Sequence, residues 1–231
     1  MTKTNPKQEN MFLNLIFNLM APIMILTKLS GEDRLGPTIA LIVAIALPLG
    51  YGIYDYATRR TFNFLSGLGL ANVLITGVIG LMELDGFWIA VKEATIPALI
   101  GVFVLASMRS KRPLVRTFLY SDQIFDTEKI ESTLEQNGNQ TAFSKLIDKT
   151  TYVLAFSFLC SAILNFILAK AIVTSAGGTE EFNQQIGKMN ALSWVVIVIP
   201  TMVITGYALW LLFGGIKRLT GLTMEESMRT K

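Results

Sequence analysis

The chain has 231 residues, of which 52% are hydrophobic and only 16% charged, with a formal net charge of +3 and no histidine. A soluble domain carries about a quarter charged residues, so this is a membrane composition, and the small positive excess fits basic cytoplasmic loops rather than an anionic partner such as nucleic acid. Lack of histidine excludes Ser-His and Cys-His nucleophile pairs and leaves no imidazole for zinc or haem; the lone Cys160 excludes an intramolecular disulfide.

A crossing needs about 20 apolar residues to span a hydrocarbon core about 30 Å thick. Six stretches qualify: 11–29, 37–57, 62–82, 87–108, 151–173 and 192–216. An apolar segment in lipid must satisfy its own backbone hydrogen bonds, so each is expected to be α-helical. The expected fold class is therefore all-α, a polytopic protein with six transmembrane helices.

Residues 1–10 read as a cytoplasmic tail bearing Lys3 and Lys7. The first apolar run is too long for a signal segment and lacks a small-x-small cleavage pattern, so it is expected to be retained. Asn14, Asn18 and Pro22 follow at four-residue spacing on one face of it. The second run contains Pro48 and ends on Asp55, four residues before Arg59, a spacing that suits a local ion pair. The third is rich in small residues (Ser66, Gly67, Gly69, Ala71, Gly77, Gly80), which suits close helix contact, and places Asn72 and Thr76 one turn apart.

The fourth run gives the direction of the whole chain. It opens on Phe87 and Trp88, admits Lys92 and Glu93, continues apolar to Met108 and closes on Arg109, Lys111, Arg112, Pro113 and Arg116. Aromatics favour the headgroup level and basic clusters the cytoplasmic side. With both termini inside, 15 Lys and Arg fall in cytoplasmic pieces against three (Lys28, Arg34, Lys188) in outer connections, with Lys92 and Lys170 near outer helix ends.

Between the fourth and fifth runs, 109–150 reads as a short helical cytoplasmic insertion. Ile130 and Leu134 lie four apart, and Asn137-Gly138 is a helix stop. The first helix here is expected to lie at the membrane interface. The second, carrying Phe143, Leu146 and Ile147 on one face, is expected to lead into the fifth crossing as a stalk. Residues 174–190 form an outer loop with a turn of helix over 180–187, and 217–231 a polar cytoplasmic tail.

Polar groups inside crossings are costly and need a partner or a cavity. Asn14, Asn18, Asn72, Thr76 and Asn165 fit either interhelical hydrogen bonds or, with Glu93, the lining of a polar path. Lys92 is close enough to the outer helix end to snorkel. Glu93, beside it, is the best proton-carrier candidate, or else an outer-edge carboxylate meeting Lys170 or Trp88. Lys92, Arg109, Lys111, Arg112 and Arg116 are candidates for contact with lipid or a partner. Pro22, Pro48, Pro97 and Pro200 are expected to kink their helices. The prolines do not align in register between the two halves, so an inverted repeat is not supported. No catalytic, cofactor-binding or metal-binding set is visible, and no cofactor is expected.

Trp88, Lys92, Ile96, Leu99, Ser107 and the exit Lys111-Arg112-Pro113-Leu114-Val115 resemble the bacterial intracellular septation protein A family of small inner-membrane proteins. The stretch 40–60, ALIVAIALPLGYGIYDYATRR, and Phe156, Phe158 and Asn165 in the fifth run continue the likeness, which covers most of the chain after Leu35. The cytoplasmic segment and the C-terminal half are longer than that family's. The resemblance implies a bacterial inner-membrane protein without catalytic residues, acting in envelope maintenance or division through lipids and other membrane proteins, and compatible with an oligomer. The alternative from the residues is a small-solute or lipid carrier.

Overall fold

The apolar runs fold as helices in the computed structural model, which describes residues 15–59, 74–109, 114–120 and 124–228. In chain order these are α1 (Ala21–Lys28), α2 (Gly36–Arg59), α3 (74–81), α4 (Phe87–Ser107), α5 (Leu114–Phe118), α6 (Thr127–Gln136), α7 (Gln140–Ile172), α8 (Glu180–Ser193), α9 (Ile199–Thr220) and α10 (Met224–Ser227). No strand occurs among the described residues, where the sole β-type pairing is an isolated antiparallel bridge between Phe125 and Met228. Four helical runs are long and apolar enough to cross a bilayer: Gly36–Tyr54, Phe87–Ser107, Gln140–Ile172 and Glu180–Thr220. A shorter apolar helix covers Ile16–Lys28, and α3 follows residues outside the described set.

Two wide π-helical turns, Ile16–Met20 and Trp194–Val198, each stand just ahead of a proline, Pro22 and Pro200. In a regular α-helix a proline ring collides with the carbonyl four residues earlier, here that of Asn18 or Val196. Both residues lie within the wide turns, which open that spacing. Pro48 and Pro97 instead sit inside continuous α-helices.

The chain divides into two compact units. One consists of Met1–Glu93 with Asn165–Trp194, the other of Ala94–Leu164 with Val195–Lys231. In the first, α1 packs against α2 and α8. The outer segment expected to be a loop is α8, joined through its π turn to α9 as one helical run of 41 residues. Thr179 starts it by accepting the Phe182 N–H at 3.1 Å. Phe182, Ile186 and Met189, at helical spacing, then bury one face, and this amphipathic pattern overrides the polar composition. The turns before α4 and α8 meet backbone to backbone: Gly177 donates its N–H to Leu84 O at 3.2 Å. A Cβ on Gly177 would lie 2.7 Å from Gly80 O, and one on Gly86 would collide with Val173 O.

The stretch expected to be a cytoplasmic insertion falls within the second unit. Asp126 caps α6 by accepting the Lys129 N–H at 3.1 Å, and Asn137 and Gly138 (φ +66°) end it. Ile130 and Leu134 are 0% and 2% exposed within a core that includes Tyr120, Phe125, Phe143 and Leu146. This corrects the expectation of an interfacial helix, because protein, not lipid, covers the apolar face of α6. Phe143 to Ile172 belong to one continuous helix. The stretch expected to be a polar tail is folded as far as Met228. Gly221 (φ +77°) closes α9, Thr223 and Glu226 form a capping box for α10, and Ser227 O accepts the Asp126 N–H at 3.0 Å.

Candidate functional site

One buried charge of the first unit, Lys92, lies where α3 meets the start of α4. Thr76 lies on α3, one residue before Gly77, whose missing side chain makes room for Ile45 of α2. From α4, Lys92 places Nζ 2.8 Å from Thr76 Oγ1 and 2.6 Å from Glu93 Oε1. The Lys92 side chain is 6% exposed and that of Glu93 20%. Lys92 therefore turns inward to a hydroxyl and a carboxylate and does not snorkel. Glu93 takes its neighbour as partner instead of Lys170, whose ammonium lies 5.9 Å from the ring centre of Phe166. A buried ammonium needs its charge balanced and its donors bonded; here Glu93 balances the charge, and Thr76 and Glu93 accept from two of the donors.

Of the remaining candidates, Asn18, Asn165, Arg109 and Arg116 are among the described residues. Asn14, Asn72, Lys111 and Arg112 lie outside the described residues, as do the side chains of Asp55 and Arg59. Asn18 is exposed, in the first π turn, and Asn165 is half-buried on α7. Arg109 is exposed just past the end of α4. Arg116, in α5, sets its guanidinium 5.7 Å from the ring centre of Phe143 and 4.0 Å from Glu131 Oε1. Those contacts give it a place in the fold of the insertion, where cation–π attraction contributes about 0.5–1 kcal/mol at a partly exposed site.

Three polar features carry no obvious signal in the sequence. Asn183 is completely buried on α8 and donates to Pro37 O at 2.6 Å and to Ser30 Oγ at 3.2 Å. The Ser157 hydroxyl of α7 lies 3.1 Å from Thr201 O and 3.0 Å from Thr205 Oγ1, both in α9. An open polar cleft of about 480 Å³ is lined by Thr174, Ser175, Glu181, Gln184, Gln185 and Lys188. Much of its polarity is turned inward, since Gln185 Oε1 accepts the N–H groups of Thr174 and Ser175 at 2.9 and 3.0 Å, and Ser175 Oγ donates to Glu181. Gln185 thus fastens the turn that follows α7. Among the described residues no cluster of three or more Cys, Asp and Glu is placed to hold a metal ion.

The arrangement offers charge pairing and hydrogen bonding. Comparison with known proteins matches the chain to no family model, and neither a curated protein nor a solved structure is significantly similar to it.

Proposed function

We propose that the protein is a non-enzymatic, multi-pass component of a bacterial inner membrane, akin to septation protein A, that serves envelope maintenance or division by contacting lipids and other membrane proteins. In this reading it crosses six times with both termini inside. The helix Ile16–Lys28 and α3 then belong to the first and third crossings.

One observation carries the reading: the four bilayer-length helices leave most of their apolar residues uncovered. No more than 28% of any of their apolar windows is buried within the chain. Ile39, Ile42, Phe103, Ile167 and Trp210 are all more than 45% exposed. Lipid and neighbouring helices supply the missing cover, at about 25 cal/mol for each Å² removed from water. The folded insertion, with Arg109 exposed beside it, supplies a basic face. Near an anionic membrane surface each such charge contributes about 1 kcal/mol.

The test is recovery of membrane partners and of phosphatidylglycerol with the full-length protein. Reversing Arg109 and Arg112 to Glu is expected to lower recovery of at least one of them about threefold; unchanged recovery of both would count against the reading. Topology is tested by cysteine labelling in a Cys160→Ala background: Glu135→Cys should react only from the cytoplasmic side and Gln184→Cys only from the other.

A second reading, a small-solute or lipid carrier, is favoured by the buried cluster of Lys92, Glu93 and Thr76. It rests on fewer described residues, because Asn18 is exposed and Asn14 and Asn72 lie outside the described set.

A further inference from the structure

We propose that Lys92, held by Thr76, is a receiving site for an oxyanion, a carboxylate or a phosphate, and that Glu93 is its built-in and displaceable occupant.

The position of Lys92 argues that its burial is not forced. It lies five residues after Phe87, the first residue of α4, which is about 7.5 Å along the helix axis. A lysine stem can carry its ammonium roughly that far to the water at a helix end. The side chain instead runs inward to 6% exposure and to the hydroxyl of Thr76. A cation that gives up cheap hydration for a buried site within a membrane-spanning segment is there for its charge.

The partner is equally informative. Successive side chains leave a helix about 100° apart and do not face each other. Glu93 nevertheless bends back to put Oε1 2.6 Å from Lys92 Nζ. It is the more open member of the pair, with 20% of its side chain exposed. A turn of its side-chain torsions therefore moves the carboxylate toward the open side and vacates the ammonium. Lys92 stays fixed by Thr76, because its other bond comes from a different helix. An ammonium has three N–H donors, and Thr76 and Glu93 take two. An arriving oxyanion thus meets one donor before Glu93 leaves and two afterwards. Because the charge is out of water, it favours an anion over a neutral ligand, and an arriving anion takes over the pairing that Glu93 gives up.

The test uses the full-length protein in detergent, as wild type, Glu93→Gln, Lys92→Gln and Lys92→Arg, with thermal unfolding as the check on folding. Inorganic phosphate and acetate are titrated as soluble probes, read by the shift in the unfolding midpoint. Retention of phosphatidylglycerol against diacylglycerol, read by native mass spectrometry, is the lipid arm. Glu93→Gln should bind at least one anionic probe tenfold more tightly than wild type, Lys92→Gln should lose that binding, and Lys92→Arg should keep it. Phosphatidylglycerol retained without diacylglycerol identifies a headgroup as the source; a response to phosphate or acetate identifies a soluble anion. If Glu93→Gln gains for none of the probes, or Lys92→Gln binds as wild type does, the pair is purely structural and the proposal is wrong. Should Lys92→Gln not fold, Glu93→Gln decides alone. Failure here leaves the Arg109 and Arg112 experiment untouched.

Discussion

Asn183 donates its side-chain N–H to the carbonyl of Pro37 at 2.6 Å, so a single buried amide on α8 fastens the turn that leads into α2. Ser30, before that turn, accepts from the same nitrogen at 3.2 Å. Removing this amide leaves a buried carbonyl without its donor. Asn183→Ala is expected to destabilise the protein by about 1–3 kcal/mol, read from denaturant unfolding in detergent. Ser30→Ala should cost less, about 0.5–1.5 kcal/mol. Equal effects would mean that the two acceptors do not share Asn183 as described.

Glycines in this chain divide by what surrounds them. A methyl group on Gly177 would stand 2.7 Å from Gly80 O and 2.9 Å from Glu83 Cα, backbone atoms that cannot rotate away. Gly177→Ala should therefore cost about 1–3 kcal/mol, the usual range for overpacking. Gly50, in the exposed face of α2, has nothing within 4 Å of its would-be Cβ. Gly50→Ala should be neutral or should raise the unfolding midpoint, since alanine is the better helix former by up to about 1 kcal/mol. Paired thermal unfolding of the two variants separates contact from propensity.

Ile130 has no exposed surface because the insertion packs over it. Ile130→Ala should loosen α6 by about 2–5 kcal/mol. Amide hydrogen exchange over 127–136 should rise in detergent and in lipid alike. A helix held by the bilayer would instead lose protection in wild type on removal of anionic lipid, and that result would return α6 to the membrane surface.

The end of the chain should respond to acid. Hydrogen bonds from the Thr223 backbone N–H and hydroxyl hold the Glu226 carboxyl below its ordinary value of 4.5. A depressed carboxylate contributes its stability above the unfolded value and loses it as pH falls through the lower, folded one. The capping box should therefore be intact at neutral pH and open as pH drops below about 4.5, the ordinary glutamate range. Proteolytic nicking between Gly221 and Met228 should increase over that window in wild type. Thr223→Ala should be nicked already at neutral pH, having lost the cap.

The extent to which these features were legible follows from where their causes lie. Unbroken apolar runs place α2 and α4 within two residues of the expected limits, because length and hydrophobicity alone decide a bilayer-length helix. Asn137-Gly138 marks the end of α6 because only the local chain conformation is at stake. By contrast, α8 is polar in composition, and its helix is visible only in the spacing of Phe182, Ile186 and Met189. Whether Ile130 and Leu134 meet lipid or protein depends on Phe125 and Phe143, which no local pattern brings to them. Lys92 fails for the same reason: one turn from a helix end, snorkelling is the cheaper local choice. Only Thr76, sixteen residues earlier on another helix, makes the inward course affordable. The Lys92–Glu93 contact is least legible of all, since adjacent residues on a helix ordinarily point apart.

The wide turn at Trp194–Val198 has a further effect on everything after it. Each turn of this kind takes up one residue more than an α-helical turn, so the side chains beyond it are rotated by about 100° from where an uninterrupted helix would set them. Ala208, Leu212 and Ile216, at helical spacing beyond the turn, are buried. A deletion of one residue between 194 and 198 would remove one apolar side chain and shift the helical phase of every later side chain along this run by about 100°. In this stretch the number of residues is therefore as strict a constraint as their kind, and natural variants should differ here by substitution and not by length.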